Sequence, residues 1–70
     1  MTAQGKRYAT FVRRAGFAWG KGQAQQAIAA LEEGITLARQ NGDTAMALVL
    51  QQDMERYQRA VAGEDLDLSQ

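Results

Sequence analysis

Paired carboxylates stand at Glu32-Glu33 and at Asp53-x-Glu55, a pattern that elsewhere supplies a general acid beside a general base. On a helix, adjacent residues point about 100° apart and residues two apart do not share a face, so neither pair converges on one substrate atom. Asp53 with Arg56 and Glu55 with Arg59 have instead the spacing of surface ion pairs, worth roughly 0.2–0.5 kcal/mol each. Gly20-Lys21-Gly22 is glycine-rich enough to suggest a phosphate cradle. A P-loop, however, needs G-x-x-x-x-G-K-[ST] after a strand, and neither the spacing nor a strand is present. There is no histidine and no cysteine, and Ser69 is the only serine. That inventory assembles no nucleophile–base pair, metal cluster or cofactor motif. The sequence reads as a non-enzyme with no cofactor.

Lys6, Arg7, Arg13, Arg14 and Lys21 are interleaved with Tyr8, Phe11, Phe17 and Trp19, and cations beside aromatic rings can bind phosphates and stack bases. Most of those rings share the helix face expected to be core, and the isoelectric point is only about 6.1. A solvated basic face is the better reading, with nucleic-acid binding as the alternative. The charge is unevenly spread although its total is zero. The five cations named above are the only charges in residues 1–22. Residues 23–62 hold three arginines against five acids, and the last eight residues hold Glu64, Asp65 and Asp67. A basic head and an acidic tail suit a partner surface or contact between copies of the chain.

The elements that carry these residues are helical. The 70 residues include no proline, and 46% are hydrophobic against 23% charged, a balance suited to one small folded domain. No apolar run approaches the ~18 residues of a membrane span, and polar residues interrupt any candidate signal segment, so a cytoplasmic location is expected. Gly20-Lys21-Gly22 and Asn41-Gly42-Asp43 are the strongest breakers and Gly63 is a third. They delimit helices at about 6–19, 23–41 and 44–62, within a single domain spanning 1–63, and leave an acidic tail at 64–70.

In the first helix, Tyr8, Phe11, Val12, Ala15, Ala18 and Trp19 form the apolar face. Phe17 lies away from it, Gly16 is expected at a close packing contact, and Gly20 is expected to close the helix in the left-handed conformation. In the second, Ala24, Ala27, Ile28, Leu31, Ile35 and Ala38 form the stripe, with Gly34 beside it admitting another backbone. Asp43 or Thr44 is a natural N-cap for the third helix. There the stripe runs through Met46 or Ala47, Leu50, Met54, Tyr57 and Val61. The run Met46, Ala47, Leu48, Val49, Leu50 is apolar around most of the circumference, so one subset must face away from the protomer core.

The stretch GQAQQAIAALEEGITLARQNGD, from Gly22 to Asp43, resembles the second helix of a tetratricopeptide repeat, with Ala27, Leu31 and Gly34 at its small–large–small positions. The family's W-x-x-L-G-x-x-Y pattern falls on Phe11, Arg14, Ala15 and Ala18, of which Arg14 and Ala18 are departures. A slip of one residue places Gly16 and Trp19 on the glycine and aromatic positions instead. Arg39 occupies the place of the family's proline, and one repeat length beyond Phe11 and Ala15 lie Ala45 and Val49.

The expected fold is therefore all-α: three antiparallel helices, either a tetratricopeptide-like hairpin with a third packing helix or a simple three-helix bundle. Repeat proteins generally bury a continuous core only from about three units, and this chain holds about one and a half. The reading that follows is a protein–protein interaction module, an adaptor or assembly factor that binds a protein or peptide and self-associates as a dimer. Its candidate surface is Met46, Leu48, Val49 and Leu50.

Overall fold

The computed structural model describes the backbone of residues 2–68 and the side chains of residues 7–63. Lys6 and the acidic residues of the tail thus lie outside the described side chains. Three helices follow one another, α1 (Thr2–Gly20), α2 (Ala24–Gln40) and α3 (Thr44–Leu68), and no strand occurs among the described residues. The fold is all-α, and successive helices run antiparallel.

Both turns are built in the same way. In the first, the N–H of Gln23 donates to the carbonyl of Ala18 (2.9 Å) and that of Gly22 to Trp19 (3.0 Å). In the second, Asp43 donates to Ala38 (2.8 Å) and Gly42 to Arg39 (3.1 Å). This pair of bonds satisfies carbonyls at the end of a helix and requires a left-handed residue, supplied by Gly22 at φ 80° and Gly42 at φ 76°. The left-handed residue of the first turn is thus Gly22, and Gly20 remains inside α1. Gly63 does not break α3 either, because the helix runs through it to Leu68. A single glycine costs a helix only about 1 kcal/mol, which a long helix can absorb.

α2 is the central element and packs against both neighbours, whereas α1 and α3 meet along a narrow seam. The core consists of Tyr8, Ala15 and Ala18 from α1, Ala27, Ala30, Leu31, Ile35 and Ala38 from α2, and Ala47 and Leu50 from α3. Phe11, Trp19, Leu37, Met46, Met54 and Tyr57 close over it. The abundance of alanine lets the helices approach closely, and Gly34 marks the tightest point. A Cβ there would lie 3.1 Å from Leu50 Cδ1 and 3.1 Å from both Cβ and Cγ of Phe11. The space left by Gly34 is filled by side chains from both flanking helices, not by a neighbouring backbone.

Two apolar residues depart from their expected faces. Val12 and Val61 are 39% and 43% exposed. Both flank the α1–α3 seam, where the two helices make little contact and no fourth element covers them. Gly16 also departs from expectation, since it is exposed and a Cβ added there meets nothing within 4 Å. Gly16→Ala should therefore stabilise the protein by about 0.5–1 kcal/mol through helix propensity and lower unfolded-state entropy. Urea unfolding checks this, and a loss of stability would show that α1 packs there after all.

Candidate functional site: the outer faces of α3 and α1

The four residues of the expected interaction surface divide into two pairs. Leu50 is fully buried and Met46 packs against the core, whereas Leu48 and Val49 are 56% and 47% exposed. The division follows from helical geometry: Met46, Ala47, Leu50 and Met54 lie within one sector facing α2 and α1, leaving Leu48 and Val49 on the opposite half. Leu48 and Val49 are thus two neighbouring exposed apolar side chains, about 100° apart on the outer half of α3.

Beyond Leu48 the outer face of α3 is polar. Arg56 Nη2 lies 2.8 Å from Asp53 Oδ1, the ion pair expected from the sequence. The second expected pair does not form. Glu55 accepts instead a hydrogen bond from Gln51 Nε2 at 3.3 Å, and Arg59 makes no salt bridge among the described residues. Glutamine one turn earlier competes for the carboxylate, and an exposed ion pair is worth too little to exclude that arrangement.

Of the expected basic surface, Arg7, Arg13, Arg14 and Lys21 are all exposed on α1 and the turn after it. Arg14 Nη1 lies 3.5 Å from Glu33 Oε1, a long contact between two exposed side chains. Lys21 Nζ sits 4.4 Å from the ring centroid of Phe17, which is 67% exposed. The cation and its aliphatic stem cover part of the exposed Phe17 ring, and Arg14 Cζ lies 5.6 Å from the ring centroid of half-buried Phe11. Tyr8 is buried, Phe11 packs on the core, and Trp19 stacks on Tyr57 at 4.6 Å between ring centroids and an interplanar angle of 23°. The aromatic rings that base stacking would need are thus largely committed to packing.

Shallow depressions lie between the helices. One of about 330 Å³ is lined by Trp19, Gly22, Ala24 and Val61. Another of about 340 Å³ is lined by Glu32, Ile35, Thr36, Arg39, Gln51 and Met54. Glu32 and Glu33 are exposed. Among the described residues no group of three acidic, histidine or cysteine side chains could hold a metal ion, and no helix is long and apolar enough to cross a membrane.

The contact that sequence reasoning missed is polar and joins three elements. Tyr8 Oη donates to Asp43 Oδ2 at 2.6 Å and accepts from Asn41 Nδ2 at 3.2 Å. Sequence spacing gives each residue a local role, core face for Tyr8 and turn for the other two, and nothing local pairs residues so far apart. A buried tyrosine with its hydroxyl in need of a partner was the one available signal. Compared with protein-family models, curated proteins and solved structures, the chain matches none of them.

Proposed function

We propose that this protein is a small, non-enzymatic protein–protein interaction module, an adaptor or assembly factor whose α1–α2 hairpin is of the tetratricopeptide kind. The observation that carries the reading is the exposure of Leu48 and Val49 on α3, directly behind a helix face that is already packed. Leaving such side chains half in water forgoes about 1 kcal/mol each, roughly half the value of full burial, an arrangement favoured when a partner covers them. The lack of histidine and cysteine in the sequence supports the non-enzymatic part of the reading. Ala27, Leu31 and Gly34, on which the tetratricopeptide resemblance rests, are all buried in the helix pair.

A nucleic-acid role for α1 is the second reading, favoured by exposed Phe17 among Arg13, Arg14 and Lys21. One experiment separates the two. Tagged protein is incubated with an extract of its source cells, with and without nuclease, beside Leu48→Glu/Val49→Glu and Arg13→Ala/Arg14→Ala variants. Proteins, a second copy of the chain included, should be retained by the wild type after nuclease treatment and by the arginine variant, and lost from the α3 variant. Retention that vanishes with nuclease or with the arginines would make the basic helix the functional surface.

A further inference from the structure

The outer face of α3 has a charge pattern that matches itself. Ala45, Leu48, Gln52, Glu55, Arg59 and Ala62 follow alternating steps of three and four residues, the spacing of a helix–helix seam. All six are exposed, and they lie on the side of α3 opposite Leu50 and Met54; α2 comes near at the start of the row, where Arg39 lines a shallow depression with Ala45 and Leu48. The seam is apolar at Ala45, Leu48 and Ala62 and carries opposite charges at Glu55 and Arg59. Among the described residues Glu55 has no cation, only the hydrogen bond from Gln51, and Arg59 has no carboxylate, although their spacing would permit a pair. Arg56, by contrast, is neutralised by Asp53.

We infer that the partner of this face is a second copy of the same chain, docked with the two α3 helices antiparallel about a two-fold axis at the level of Tyr57. The inference rests on the proposed interaction role and names its occupant. With that axis, a residue a given number of positions before Tyr57 faces the residue the same number after it. Glu55 meets Arg59 of the partner subunit, and by symmetry Arg59 meets Glu55 of the partner subunit. Gln52 meets Ala62 of the partner subunit, and Leu48 lies about one helical turn further out along the partner's α3. A parallel pairing in the same register would set Glu55 against Glu55 and Arg59 against Arg59, so the charges select the antiparallel orientation. Two-fold pairing is also the commonest way for one patch to close on itself. Val49 lies about 100° round the helix from Leu48, to one side of this seam.

Sedimentation of the full chain up to hundreds of micromolar tests the proposal, using the wild type, Glu55→Arg, Arg59→Glu, an equimolar mixture of those two variants, and Leu48→Glu. All these positions are exposed, and circular dichroism at each step verifies that the helices are retained. The wild type should dimerise, and its melting temperature should rise with concentration. Either charge variant alone should associate about tenfold or more weakly, because like charges then face each other across the axis. Mixing the two should restore association as a heterodimer, since each charge then meets its opposite. Leu48→Glu should weaken the dimer as well. A monomeric wild type, charge variants that dimerise as the wild type does, or a mixture no stronger than its components would each overturn the proposal. If the wild type is monomeric but still retains other proteins from the extract in a Leu48-dependent way, the self-pairing falls and the interaction role stands.

Discussion

Gly34→Leu is expected to destabilise the protein by about 3 kcal/mol, near the upper end for overpacking a well-filled core. The position sits where all three helices converge, with Phe11 on one side and Leu50 on the other, each 3.1 Å from where a Cβ would stand. Leu50 is fully buried and cannot swing into solvent, and Phe11 is held against the same core, so a branched side chain can be admitted only by separating α2 from its neighbours. In a domain of this size the change corresponds to a fall in melting temperature of roughly 15 °C. Ala27→Leu should act in the same direction, because Ala27 is fully buried on the same face. Ala29→Leu, on the exposed face of α2, is the control and should stay within about 0.5 kcal/mol of the wild type. Thermal and urea unfolding of the three variants measure this. If Gly34→Leu and Ala27→Leu melt as the wild type does, α2 is packed through a different face.

What the sequence makes legible here is what short-range physics dictates. Three helices and both turns follow from apolar spacing and from two glycine-containing breakers, although α1 starts at Thr2 and α3 runs to Leu68, beyond the expected ends. Of the expected α2 stripe, Ala27, Leu31, Ile35 and Ala38 are buried, whereas Ala24 and Ile28 are half-buried and Ala30 is buried in addition. The separation of Leu48 and Val49 from Met46 and Leu50 also follows, because at about 100° per residue the latter two fall in one sector of the helix and the former two in the opposite half. Legibility ends where the outcome depends on how helices sit against one another. Val12 and Val61 belong to apolar stripes by spacing, yet α1 and α3 touch too little to cover them. Gly16 and Gly34 look alike in sequence, each a glycine inside a helix, but one faces open space and the other a crossing of three helices. Gly63 resembles the glycines of the turns but lies within α3. The outer row of α3 lies between these cases: its residues and spacing are written in the sequence, whereas the absence of a Glu55–Arg59 ion pair among the described residues emerges only once Gln51 is seen to take the carboxylate.

Asp43 should prove the most costly polar residue to remove. Its backbone ends one helix and begins the next: its N–H closes the α2 turn on Ala38, and its carbonyl accepts from Ala47 in the first turn of α3 at 2.9 Å. Its side chain holds the hydroxyl of Tyr8, whose ring is fully buried in α1. A carboxylate just before α3 also lies favourably against the positive end of that helix. Asp43→Ala removes the side-chain contributions together, about 0.3–1 kcal/mol for a negative charge at a helix N-terminus and about 1.5–3 kcal/mol for a hydrogen bond to a charged group. Tyr8→Phe removes only the hydroxyl and should cost less, about 1–2 kcal/mol, because it also frees Asn41 and Asp43 to bond with water. If the two residues act through their 2.6 Å contact, the double variant should be more stable than the two single losses predict, by about 1 kcal/mol or more. Additive losses would mean that Asp43 acts through α3 alone and that α1 is held to the other two helices only by its apolar face. Asp43→Asn separates the remaining contributions. It keeps an oxygen to accept from Tyr8 but loses the charge, so its stability should fall between those of the wild type and Asp43→Ala.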